Sequence, residues 1–332
     1  MQNPQRYRSF FWPIVLIGVG AIWLMVNLNI ISLTSLNTLV QLWPIILIVL
    51  GLNMLFGHQN SWIGAAIGVL AIGTVIGFLV FGPALGLTSA YPGNVQVETF
   101  TTPLENTTSA NFVLDLSSEP VDIHALSNST ELINAKIGHT GTMVYTVTGS
   151  ETKSVHLAQL SNPSNWFRFD FSFVNLKWDL GLTSQIPVGL TMDGGSGSVT
   201  ADLSGLKLSS LQASMGSGSS NFTLPESTQA YQAKIDSGSG SVNMNLPAHT
   251  NLTLQMDSGS GSLNISLLAG AAVRVEVLDS GSGSLNLPSN LKSTGTSAGN
   301  GMGEWQTTGY DTAATKLLIK ITNRGSGSVN IH

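Results

Sequence analysis

The sequence predicts two kinds of structure in one chain: an α-helical membrane region of three transmembrane helices at the N-terminus, then an all-β, β-helix-like solenoid with 21–22-residue coils. Three observations carry this. Residues 1–97 hold no acidic side chain and only Arg6 and Arg8 as bases. Three long apolar stretches fill residues 10–82. From residue 195 onward the word GSGS recurs at a near-constant interval.

The apolar stretches are FFWPIVLIGVGAIWLMVNLNII (10–31), LVQLWPIILIVLGLNMLFG (39–57) and WIGAAIGVLAIGTVIGFLVFG (62–82), all without charge. Each has about the 20 residues that cross a hydrocarbon core. Trp12, Trp43 and Trp62 open them, and amphipathic rings favour the membrane–water boundary. The first two share the word WPI-x-LI, an internal repeat. In the third, Gly64, Gly68, Gly73 and Gly77 are spaced for close helix packing. Arg6 and Arg8 hold the N-terminus in the cytoplasm, since basic residues favour that side. The expectation is a multi-pass protein of the cell membrane, in contact with the lipid bilayer, extracytoplasmic from about residue 90. The expected divisions are a cytoplasmic N-terminus (1–9), a three-helix transmembrane domain (10–82), a tether (83–94), a membrane-proximal β region (95–190) and the repeat solenoid (191–332).

The GSGS words begin at Gly195, Gly216, Gly238, Gly259, Gly281 and Gly325, at intervals of 21, 22, 21, 22 and 44. A flexible linker keeps no such period, whereas a solenoid does. The long last interval is read as two coils, with a degenerate copy near 299–305. Apolar and polar residues alternate after each word (Val242-Asn243-Met244-Asn245-Leu246, for example) and before it (Leu252, Leu254, Met256). That is the period of a strand. Each coil is thus strand, corner, strand, turn, and stacking closes a common core. The corners use Gly195 and Gly197, Gly216 and Gly218, Gly238 and Gly240, Gly259 and Gly261, Gly281 and Gly283, and Gly325 and Gly327. Glycine suits a sharp bend and leaves room for stacked backbones. Ala201, Phe222, Met244, Ile265, Leu287 and Ile331 form an inward column in chain order.

Two outward columns follow. Asn221, Asn243, Asn264, Asn286 and Asn330 would stack as an amide ladder. Two residues before each corner stand Asp193, Ser214, Asp236, Asp257, Asp279 and Asn323. Adjacent carboxylates ~4.8 Å apart repel by about 1 kcal/mol in water. Turn chemistry, with each side chain accepting a backbone N–H, is the preferred reading. Asp236, Asp257 and Asp279 are the alternative Ca²⁺ ligands. No cofactor is expected.

Composition narrows the function. From residue 98 the chain carries 18 acids against 11 bases, which argues against a nucleic-acid partner. There is no cysteine, so no disulfide, zinc-thiolate site or cysteine nucleophile. The six histidines show neither zinc spacing nor a nucleophile elbow, and no enzyme activity is expected.

Residues 178–226 resemble a bacterial family. Trp178, Pro187, Leu190, Gly195, Gly197, Asp202-Leu203-Ser204-Gly205-Leu206, Gly216, Gly218 and Leu224-Pro225 are similar to the toast-rack β-domain of LiaF-like envelope proteins. The duplicated WPI-x-LI stretches are similar to that family's membrane region, and the later GSGSVN coils resemble adhesin-like β-solenoids of cell-surface proteins. The resemblance implies a membrane-anchored, non-enzymatic accessory of envelope-stress signalling, partnered by a membrane sensor kinase or another envelope protein. The long run of extra coils departs from the pattern. The competing expectation is a surface adhesin-like or ligand-binding module, with cell-wall glycan as partner.

Overall fold

The computed structural model describes residues 11–28, 47–49, 51–52, 54, 61–81, 96–116, 118–139, 141–160, 176–279, 281–299 and 301–332. The chain divides into two compact units, 1–94 with 162–174, and 95–161 with 175–332.

In the first unit, helices α1 (Phe11–Asn27) and α2 (Ser61–Phe81) pack together. They approach closely at Gly18, where an added Cβ would overlap Ile72. Among the described residues no helix is long and apolar enough to cross a membrane. A crossing takes about 20 consecutive apolar residues. α1 has 17, and the surroundings of α2 are described without a break only over 65–77. Most of the second expected span, 39–57, lies outside the described residues. The expected three-helix membrane region is corrected accordingly. So is the multi-pass placement in the cell membrane that rested on it, with its cytoplasmic N-terminus and extracytoplasmic β region.

The second unit is built from two sheets, of ten and eleven strands. Among the described residues seven rungs run through both, each a strand of one sheet, a corner, and a strand of the other. Strands are numbered in chain order. The stack begins with β2 (Ser109–Leu116) and β3 (Val121–Leu126), then β8 (Pro187–Gly194) and β9 (Val199–Asp202). Next come β10 (Lys207–Met215) with β11 (Ser220–Thr223), and β12 (Ser227–Ser237) with β13 (Val242–Leu246). β14 (Thr250–Asp257) and β15 (Leu263–Leu267) follow. The stack then departs from chain order. β20 (Leu317–Asn323) and β21 (Val329–Ile331) lie between that rung and the one made by β16 (Val273–Val277) and β17 (Leu285–Asn286). All neighbouring rungs pair in parallel.

Two expectations change. The inward column runs Ile123, Ala201, Phe222, Met244, Ile265, Ile331, so Ile331 and not Leu287 follows Ile265. The segment near 299–305 is no coil. It belongs to a hairpin, β18 (Lys292–Gly299) and β19 (Met302–Gln306), lying antiparallel on β16. Gly301, at φ 77, supplies the left-handed residue of its turn.

Inward positions differ in size from rung to rung: Ala201 is followed by Phe222 in one sheet, and Met192 by Ala213 in the other. All four are buried in one continuous core. A close-packed interior takes up such differences without voids. Each fully buried aliphatic or aromatic side chain contributes about 1.5–3 kcal/mol.

Both ends change pattern. At the first, β7 (Trp178–Thr183) extends the β3 side, and β4 (Glu131–His139) and β1 (Gln96–Pro103) continue it antiparallel. On the other sheet β6 (Thr152–Leu160) lies parallel beside β2, and β5 (Thr142–Thr148) follows it antiparallel. Trp178 is fully buried there. Lys153, also buried, donates to the Pro103 carbonyl (2.9 Å) and pairs with Glu105 (3.0 Å). Antiparallel caps end the repeat and oppose unlimited edge growth.

The corners stack most tightly at the second glycine of each word. A Cβ on Gly218, Gly240, Gly261, Gly327 or Gly283 would overlap the backbone of Gly197, Gly218, Gly240, Gly261 or Gly327 respectively. Gly197 in turn rests on the backbone of Ser118 and Glu119 in the corner between β2 and β3.

Gly240→Ala is expected to destabilise the β unit by about 2 kcal/mol or more, since backbone has to move to admit the methyl group. Urea unfolding followed by circular dichroism measures this. A flexible spacer would show no change. A second expectation concerns Tyr231, whose hydroxyl donates to the Pro225 carbonyl (3.1 Å). Burial pushes its pKa up to about 12, from 10.0. The folded state therefore holds this proton more tightly than the unfolded chain. Its contribution is complete below pH 10.0 and is lost as pH rises through about 12. Tyr231→Phe should flatten the fall in stability across that alkaline window in pH-dependent unfolding.

Candidate ligand-binding face

The strands after the corners present their odd positions to the core and their even ones outward. The first outward position on five successive rungs is asparagine. Asn243 Nδ2 donates to Asn221 Oδ1 (2.9 Å), Asn264 to Asn243 (2.9 Å), Asn330 to Asn264 (2.9 Å) and Asn286 to Asn330 (2.6 Å). The ladder expected from the sequence is continuous, with Asn330 ahead of Asn286. Parallel, in-register pairing aligns the residues (Asn221 with Asn243, Asn243 with Asn264, Asn264 with Asn330).

A second outward row lies beside the first, on Thr223, Asn245, Ser266 and His332. Asn245 with Thr223 (3.5 Å) and Ser266 with His332 (3.0 Å) are in hydrogen-bond contact. The charge on this face is segregated. Toward β1 it carries Lys136, Asp179, Asp122, His124 and Asp202, with Lys177 paired to Asp122 and His124 to Asp179 (3.4 Å). From Thr200 to Asn286 the first row carries no ionisable side chain. Each amide offers two N–H groups and two oxygen lone pairs. For Asn243 and Asn264 the ladder uses one of each, leaving one donor and one acceptor per rung for an outside partner, repeated every ~4.8 Å.

The aspartate column is less regular than the chain order suggests. Asp115 stands beside Asp193, and Asp236 beside Asp257. Asn323 stands next to Asp257, and Asp279 falls on its far side. Asp257 and Asp279, two of the three alternative Ca²⁺ ligands, are thus separated by a neutral side chain. Asp236 is 3.5 Å from the Lys234 ammonium. Gly259 donates its N–H to Asp257 (3.2 Å), Gly281 to Asp279 (3.5 Å) and Gly325 to Asn323 (2.9 Å). Among the described residues no group of three or more His, Asp or Glu is arranged to hold a metal ion. In the helical unit Gly68 is buried and Gly73 and Gly77 border open space, while the surroundings of Gly64 lie outside the described ones.

The sequence reading missed two things. One is the second polar row. The other is the rung at 109–126, whose corner contains Ser118, Glu119 and Pro120 in place of GSGS. A signal for it existed. Every rung places Asp, Ser or Asn six residues before the first inward residue of the next strand: Asp115 before Val121, Asp193 before Val199, Asp236 before Val242.

A family profile described as the N-terminal domain of toast_rack matches residues 91–245, a little under half of the chain. A second, the LiaI-LiaF-like transmembrane region, matches residues 10–55. No curated protein matches the chain. Among solved structures, a candidate cell adhesion protein from Clostridium sporogenes is 16% identical, with a TM-score of 0.46, covering 72% of this chain and 99% of its own. A candidate adhesin from Bacteroides fragilis is 10% identical, with a TM-score of 0.26, covering 73% and 99%. In sequence, residues 91–245 are thus similar to the toast_rack N-terminal domain, and residues 10–55 to a LiaI-LiaF-like segment.

Asn264→Asp should cost about 1–2 kcal/mol at neutral pH, because a carboxylate cannot donate to Asn243. Protonation restores a donor. The folded state then binds the proton more tightly than the unfolded one, so the deficit is present above the carboxylate range and shrinks below about pH 4. Urea midpoints at pH 7 and pH 3.5, each compared with the parent chain, check the sign.

Proposed function

We propose that this protein is a non-enzymatic, adhesin-like binding module whose asparagine face takes an uncharged glycan. The observation behind this reading is the first outward row from Thr200 to Asn286, which carries no ionisable side chain and leaves donor and acceptor capacity at Asn243 and Asn264. Hydroxyl-rich sugars both donate and accept. An array of amides and hydroxyls complements them without requiring charge. A protein partner is less well served. Interface centres are anchored by aromatic and aliphatic side chains, and the large exposed apolar side chains of the β unit (Val97, Leu160, Leu268, Leu278) lie outside the two rows. The toast-rack match supports the module class, and the match over 10–55 supports a second reading, an accessory to an envelope-stress sensor kinase.

The test is an NMR titration of the full chain with soluble hexasaccharides of β-1,4-linked glucose and of N-acetylglucosamine, with polygalacturonate as the anionic control. The expected result is saturable shifts at the Asn245 and Thr223 rungs with the neutral sugars. Asn245→Ala with Thr223→Val should weaken binding at least tenfold while leaving the fold intact. No shift with either neutral sugar, or equal binding by the double variant, overturns the assignment.

A further inference from the structure

We propose that the rung at 317–331 is exchangeable between molecules: it leaves its slot and enters the equivalent slot of a second copy of this chain. The proposal starts from the threading. β20 and β21 follow β16 and β17 in the chain, yet sit between them and the rung of β14 and β15 in both sheets. The slot therefore has two walls, each a complete parallel rung.

The walls match the occupant position by position. Leu317 lies between Leu252 and Val273, Ile319 between Leu254 and Val275, and Ile321 between Met256 and Val277. All three occupants are buried. On the other sheet Asn330 bridges Asn264 and Asn286, completing the amide ladder from both sides. With the rung withdrawn, the walls expose apolar side chains and unpaired strand edges, which recruit a strand.

The corner decides which strand can enter. A Cβ on Gly327 would overlap the backbone of Gly261, and one on Gly325 the backbone of Gly259. Gly283 and Gly281 would in turn overlap Gly327 and Gly325 from the other wall. An incoming strand needs glycine at these two positions, inward apolar residues in register before them, and an amide at the second residue of the strand that follows. The same segment of a second copy meets every requirement.

The connection permits it. Residues 307–316 reach the rung through one 3-10 turn at Tyr310–Thr312. That turn is held by Arg274, which stacks on Tyr310 (4.5 Å) and pairs with Asp311 (2.8 Å). All contacts of the rung itself are identical in closed and exchanged forms, so the two differ only in this connection and in the entropy of association. Reciprocal exchange closes a two-fold dimer, whereas one-way exchange builds an open chain of copies.

The chain has no cysteine, so engineered pairs are unambiguous. Thr253 and Leu318 are direct neighbours on the outward face of β14 and β20. Chains carrying Thr253→Cys and Leu318→Cys singly are mixed at high concentration, incubated in mild urea, returned to buffer and oxidised. The double variant in one chain should close internally, which verifies the pairing. The mixed singles should give a cross-linked heterodimer at least tenfold above that from Thr253→Cys mixed with Ser266→Cys, which lies on the opposite sheet. Size-exclusion chromatography of the parent chain should show a dimer that builds up in the same regime. Heterodimer no more abundant than with the Ser266→Cys partner, while the double variant closes internally, overturns the proposal. Failure of the double variant to close overturns the neighbour relation on which it rests.

Discussion

The structure depends on backbone meeting backbone at the corners. Gly197, Gly218, Gly240, Gly261, Gly327 and Gly283 form a line in which each would lose its place to a single added carbon. This close approach locks the rungs into one register. A slip of one residue would put a serine where only glycine fits, and would also turn every inward side chain out. The flexible composition of GSGS is therefore misleading, because the same absence of side chains that loosens a linker lets a stack close.

Fixed register has chemical consequences on both sides of each sheet. Inward, it stacks apolar residues in columns, such as Ala201, Phe222, Met244, Ile265 and Ile331, within one continuous core. Outward, like lies on like. For asparagine this is favourable, since an amide both donates and accepts, and the ladder crosses five rungs without interruption. For aspartate it is unfavourable, because carboxylates only accept. The column answers with Ser214 between Asp193 and Asp236, and Asn323 beside Asp257. Neutral residues at those steps reduce repulsion while keeping an acceptor for the turn N–H.

The insertion of β20 and β21 also bears on assembly of the stack. A solenoid built in chain order grows by adding rungs to one end. Here the hairpin of β18 and β19 finishes one sheet on β16, and the rung at 317–331 fills the position behind it. Its pairing with two earlier strands on each sheet joins the capped end to the regular coils. The cap thereby becomes part of one continuous core.

Much of the β unit was legible from the chain alone. The recurrence of GSGS, the alternation around it and the repeated asparagine determined the coil, the inward faces and the amide ladder, because all of these follow from local spacing. The rung at 109–126 was hidden because its corner lacks the repeated word, although Asp115 keeps the spacing to Val121. The order of the last two rungs was decided only in three dimensions. Val273, Val275 and Val277 recur at every second position just as Leu317, Ile319 and Ile321 do, so periodicity alone leaves the order open. The helical region was over-read, since apolar length in sequence was taken for a span, and α1 ends at Asn27 after 17 residues. Short-range pattern determined what each rung is made of. Tertiary packing decided which rung lies on which, because a repeat specifies its neighbours' shape and not their identity.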